Sequence, residues 1–136
     1  MKLTVYATPD DLPVSLEDMK SYLVIEHDDH ADLITRLLEA ATARYDGRDG
    51  LLGRALVTQT WRATLDCFPY GPIELPLPPI QSIDEVTFLD TAGDEQELAE
   101  EDFRAYGLGS NDPVRLYPIE GASWPDTAEL PGAVVV

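Results

Sequence analysis

The chain has 136 residues, 26 Asp+Glu against 9 Lys+Arg, and a formal net charge of −17. That length suits one domain, and 44% hydrophobic residues supply a core, which excludes a disordered chain. The acidity excludes proteins that grip DNA or an anionic membrane surface, because both need clustered Lys and Arg. No apolar run approaches the roughly 20 residues of a membrane-spanning helix. The opening Met1–Tyr6 has no signal-peptide core before Pro9. A single cysteine, Cys67, leaves no internal disulfide and fits a reducing compartment.

The charge is uneven. Residues 1–66 hold 12 acidic and 7 basic side chains, net −5, whereas residues 67–136 hold 14 and 2, net −12. Four of the five Arg in the first part are Arg36, Arg44, Arg48 and Arg54.

Residues 1–14 read as an extended arm, because Pro9 and Pro13 obstruct a helix. Ser15 caps a short helix running to about Ile25 that buries Leu16, Met19 and Leu23. Asp28 or Asp29 caps a longer helix. Its Leu33, Ile34, Leu37, Leu38, Ala41 and Tyr45 span a face of about 140° at 100° per residue. Gly47 or Gly50 stops it. Arg44 borders that face, either as a snorkelling side chain or because the face meets another subunit.

After Gly53 the period changes to two. Val57, Trp61, Ala63, Leu65 and Cys67 alternate with Thr58, Thr60, Arg62, Thr64 and Asp66, which predicts a strand with one buried face. Prolines 76, 78 and 79 forbid a central strand and fit an extended edge segment. A strand over Ile83–Leu89 follows, then a hairpin turn at Asp90–Asp94 in which Gly93 takes positive φ. Further strands cover Phe103–Tyr106, Val114–Tyr117 and Val134–Val136. A chain that stops within an apolar β segment reads as a fragment of a longer protein. The acidic tract that holds Asp94, Glu95, Glu97, Glu100 and Glu101 reads as a solvated surface.

Chemistry-bearing clusters are weak. His27, Asp28, Asp29 and His30 invite a metal, but a catalytic site wants three fixed ligands and aspartates at a helix start cap amides. Cys67 has no nearby His and falls on the apolar strand face, where an inert buried thiol is the default. Gly107-Leu108-Gly109-Ser110 has neither the Lys-Ser/Thr nor the βα context of a phosphate loop. Carboxylate pairs are numerous, yet nothing marks two with distinct environments. Trp61 and Trp124 read as core and loop anchors, and Arg62 as a plain surface residue. No catalytic, cofactor-binding or metal site is marked. The residues describe an acidic α+β protein, more an interaction protein than an enzyme: amino-terminal helices packed with a mainly antiparallel sheet and hairpin region. An extended arm (1–14), a helical part (15–53) and a strand-rich part (54–136) form one domain.

The order of segments resembles the head–tail connector (adaptor) proteins of tailed phages and phage-derived gene transfer agents. The resemblance is carried by Gly53-Arg54-Ala55-Leu56-Val57-Thr58-Gln59-Thr60-Trp61, Phe68-Pro69, Ile73-Glu74-Leu75-Pro76 with Pro78-Pro79, and Ile83–Phe88 with the Gly93 turn. Pro113–Pro118, Trp124-Pro125, Gly132–Val136 and the two preceding helices complete it. It implies a structural virion protein with no catalysis and no cofactor. Such proteins form a ring, typically twelvefold, that joins the capsid portal to the tail-side stopper or neck protein while DNA passes through. It also implies a carboxy-terminal helical segment that this sequence lacks. Subunit or portal contacts are then expected from Arg36, Arg44, Tyr45, Arg48 and Arg54, with the arm reaching a neighbour. A DNA-mimic inhibitor is the alternative that −17 invites, and a metal-dependent hydrolase on His27, Asp28 and His30 is a third.

Overall fold

Ser15 opens the first helix as its place in the sequence predicts: its hydroxyl oxygen accepts the Asp18 amide at 3.1 Å, satisfying one of the free first-turn donors. In the computed structural model, which describes residues 1–136, the fold is α+β. One unit comprises Ala7–Gln59; the other comprises Met1–Tyr6 with Thr60–Val136.

The first unit holds helices α1 (Leu16–Leu23) and α2 (Ala31–Tyr45), which pack on each other. α1 ends at Val24, whose left-handed φ of 56° lets the amides of Val24 and Ile25 reach the carbonyls of Ser21 and Lys20. That conformation strains a β-branched residue. Leu16 and Met19 are half-buried, but Leu23 is exposed rather than buried. α2 is not capped by Asp28 or Asp29. His30 occupies the cap position without a side-chain bond, because the Asp28 carboxylate is held by Lys20 of α1. After α2, residues 46–54 fold back on the helix end. The amides of Leu51 and Leu52 meet the carbonyls of Arg44 and Tyr45, and Gly47 N–H meets Arg54 O. Gly50 is required there, since a Cβ would fall on the carbonyls of Tyr45 and Asp46.

The second unit holds two sheets. The five-stranded sheet has the order β1 (Lys2–Ala7), β2 (Thr60–Leu65), β8 (Val134–Val135), β4 (Thr87–Leu89), β5 (Glu95–Glu97). The three-stranded sheet has the order β3 (Ile73–Leu75), β7 (Val114–Pro118), β6 (Phe103–Tyr106). The arm is thus not a free extension: residues 2–7 form an edge strand of the chain's own sheet, with Leu3 against the core, and the prolines begin only after it. The strand expected from Val57 begins at Thr60, because the Asp46 carboxylate ties down the Leu56 amide and the Gln59 side chain. The strand expected from Ile83 narrows to β4. The Gly93 turn forms as predicted, organised by Asp90, whose carboxylate accepts the amides of Ala92 and Asp94. β3 is an edge strand that leads into Pro76–Pro79.

The core of this unit gathers Ala63, Ile73, Leu75, Val86, Leu98, Phe103, Val114 and Leu116. Val134, fully buried, lies on β8 at the centre of the larger sheet. Phe68 stacks on Trp124 at 5.0 Å, and the Trp124 indole donates to Gly71 O at 2.9 Å, the anchoring role its sequence predicts.

Two stability outcomes follow. Val134→Asp places an unpaired carboxylate in the sheet centre and should cost more than about 4 kcal/mol, abolishing cooperative unfolding followed by circular dichroism. Val24→Gly relieves the left-handed strain and should raise stability by roughly 1 kcal/mol, read as a higher urea midpoint. A lower midpoint would show that the exposed Val24 side chain contributes packing.

Candidate interaction surfaces

The Ala7–Gln59 unit leaves most of its large apolar side chains uncovered. On α2 only Ile34 and Leu38 are buried; Leu33 and Leu37 are 57% and 61% exposed. Tyr45, Leu51, Leu52 and Leu56 are exposed as well, and on α1 Tyr22 is 83% exposed. The face expected to be buried along α2 is therefore split into a covered stripe and an open one. Arg36, Arg44 and Arg48 are exposed alongside it, whereas Arg54 is half-buried in the returning loop. Leu33 and Leu37 are neighbours one turn apart on α2, and exposed apolar surface of this kind marks an interaction site.

The acidic residues of the second unit lie where the sequence predicts. Asp94, Glu95, Glu97, Glu100 and Glu101 are all exposed, the first three on the hairpin of β4 and β5 and the last two in the 3-10 turn Glu100–Asp102. Asp90 beneath them has its carboxyl lowered below the ordinary range, first by the Asp94 amide and further by the Gln96 side chain and the Ala92 amide.

Other candidates resolve into structure. The Lys20 ammonium bonds Asp28, while the rings of His27 and His30 meet edge to face at 5.6 Å. Asp28 is thereby drawn to a cation, not toward a shared ligand point with the histidines. Cys67 is exposed, not buried: β2 ends at Leu65, and Asp66 turns the chain by accepting the Gly132 amide at 2.9 Å. The Gly107–Ser110 turn closes on itself, with Ser110 Oγ donating to Gly107 O at 2.8 Å. Arg62 lies over the Tyr6 ring at 4.5 Å, fastening the edge strand to its neighbour.

One surface escaped sequence reasoning. Arg104, Tyr106, Arg115 and Tyr117 stand on the outer face of β6 and β7, with Arg104 opposite Tyr117 and Tyr106 opposite Arg115. The two rings meet edge to face at 5.6 Å, and Arg115 reaches Glu74 of β3 at 3.7 Å. Arg104 donates to Phe103 O at 2.9 Å. The signal was the period-two pattern Arg-x-Tyr in both strands, which specifies a shared face only once the register is known.

No family model and no curated protein matches this chain. Solved structures do. A chain of the virion of a native gene transfer agent particle superposes with a TM-score of 0.74 at 18% identity, over 99% of this chain and 70% of its own length. A chain in the neck of an empty particle of this kind, computed with C6 symmetry, gives 0.69 at 19% identity, over 99% and 68%. A chain in the neck of a native particle, computed with C12 symmetry, gives 0.63 at 17% identity, over 99% and 66%. The likeness is one of fold, and this chain spans about two thirds of the length of those chains.

The Lys20–Asp28 pair makes the helical unit sensitive to pH. Its hydrogen bond raises the Lys20 pKa above 10.5 and lowers that of Asp28 below 3.8. The Asp28 contribution is present above pH 3.8 and is lost as pH falls through the lowered value. The Lys20 contribution is complete below pH 10.5 and is lost as pH rises through the raised value. Asp28→Asn should remove both flanks from the pH profile of the unfolding midpoint. Parallel profiles for the two proteins would refute the linkage.

Proposed function

We propose that this chain is a structural neck protein of a tailed-phage or gene-transfer-agent particle, a head–tail adaptor whose copies form a ring. The ring joins the capsid portal to the tail-side neck protein and leaves a central path for DNA. The observation that carries this reading is the fold shared along 99% of the chain with gene transfer agent chains, at TM-scores up to 0.74. The C6 and C12 symmetry of two of those structures supports a ring. The open apolar stripe of α2 supports oligomerisation, since a monomer gains nothing by exposing it. In this reading Arg36, Arg44, Tyr45, Arg48 and Arg54 serve subunit or portal contacts. The work is positional and calls for no catalysis and no cofactor.

The acidity suits a conduit. A side chain that DNA must pass without sticking should repel phosphate, and such repulsion reaches about 10 Å at 0.1 M salt. The tip that bears Asp94, Glu95 and Glu97, with Glu100 and Glu101 nearby, is the proposed lining.

Mass measurement of the full chain mixed with its portal should find a ring-sized assembly on the portal. A permanent monomer with no portal binding would overturn the adaptor reading, and recovery of a nuclease or repressor instead would favour a DNA mimic. Changing Asp94, Glu95 and Glu97 together to Lys should leave assembly intact and slow DNA exit; unchanged delivery would place that tip away from the DNA.

A further inference from the structure

Two uncovered surfaces of this protein differ in shape and charge, and each supplies what the other lacks. The first is on α2. Leu33, Leu37, Ala40 and Arg44 follow one another at steps of four, three and four residues, which keeps them within about 60° at 100° per residue. That spacing is a packing seam, distinct from the covered stripe of Ile34 and Leu38. Ala40 on the seam and Ala41 beside it let another backbone approach closely. Arg44 lies on the seam and Arg36 borders it, in a stretch (36–54) where four Arg meet only Glu39, Asp46 and Asp49.

The second surface is the outer face of β6 and β7. Phe103, Val114 and Leu116 point into the core, which forces Arg104, Tyr106, Arg115 and Tyr117 outward. Tyr106 is 60% exposed. These side chains line an open groove of about 1010 Å³, together with Ile119 and the carboxylates of Glu101, Asp112 and Glu120. Tyr and Arg are the residue types that most often dominate binding energy, and here they sit side by side on a rigid sheet.

We infer that copies of this chain join head to tail, the α2 seam of one seated on the Arg–Tyr face of the next. The inference rests on the ring reading above and names its interface. Copies that carry −17 each repel one another, so contact is favoured where Arg36 and Arg44 meet the groove's Glu101, Asp112 and Glu120, which outnumber its own Arg104 and Arg115, the latter already 3.7 Å from Glu74. Leu33 and Leu37 then cover the tyrosine rings, while Arg36 and Arg44 reach the carboxylates along the groove. Two different patches in contact make a heterologous interface, the kind that builds a ring where the rotation from copy to copy closes. Two seams facing each other would close at a dimer and leave the acidic rim unmatched.

A mixing experiment tests the pairing. Leu37→Asp disables the seam and Tyr106→Asp disables the groove, both at exposed positions; unchanged circular dichroism confirms the folds. Each variant alone should lose self-association on the portal by about tenfold or more. Mixed in equal amounts, they retain one good seam and one good groove, and should form a species of twice the monomer mass that grows no further. Intact rings from either variant alone, or no pairing on mixing while the wild type forms rings, would overturn the inference and leave the ring reading standing. A wild-type chain that stays monomeric with portal present would overturn both. As an independent readout, Arg36→Glu with Arg44→Glu should break assembly, and adding Glu101→Arg with Glu120→Arg should restore it; no restoration would place the charges elsewhere.

Discussion

The larger sheet depends on a strand, β8, that lies about 70 residues beyond one of its partners and about 45 beyond the other. β8 lies between β2 and β4, so the sheet is two separate pieces until residues 133–136 arrive. On one side Ala63 and Val136 exchange both backbone hydrogen bonds, at 2.8 and 2.9 Å; on the other the Leu89 amide meets Ala133 O at 2.8 Å. Ala133 and Val134 are the buried residues of this segment, and burying such side chains stabilises by about 1.5–3 kcal/mol for one of the size of valine. The first strand in sequence, β1, lies at one edge of the same sheet. The sheet is therefore assembled through long-range pairing, which demands loop closure before reward and slows folding.

How much of this was legible follows from the range of each interaction. Ser15 was readable because its partner, Asp18, is three residues away. The Gly93 turn was readable because Asp90 and its amide partners lie within five residues. The cap of α2 was not, because Lys20 captures Asp28 from another helix. Cys67 continued an alternation whose strand had already ended; the bond that turns the chain there comes from Gly132, far along the sequence. Period-two patterning likewise predicted β6 and β7, but the Arg–Tyr square exists only through their register. The edge role of β1 could not be read from prolines that lie beyond its last residue.

The two units handle apolar surface in opposite ways. The sheet unit covers Ile73, Val86, Val114, Leu116 and Val134 almost completely. Its five-stranded edge at β5 is short and reads Glu-Gln-Glu, which discourages further strands from adding. The helical unit covers Ile34 and Leu38 and leaves Leu33, Leu37, Leu51 and Leu52 open. A 15-residue helix with apolar side chains on more than one face has one face more than α1 needs.

Charge then determines where such surface is useful. Apolar contact is non-directional, so it gives adhesion but little choice of partner. For the proposed contact between copies at −17, repulsion supplies a choice, because it favours approaches that bring Arg to carboxylate over those that do not. Arg36, Arg44 and Arg48 are exposed alongside the open helix surface, and Glu101, Asp112 and Glu120 line the aromatic groove. In the proposed ring, with DNA at its centre, the same imbalance serves both demands. On that proposal the cations serve the contacts between subunits, and the acidic side chains left exposed repel the phosphate backbone.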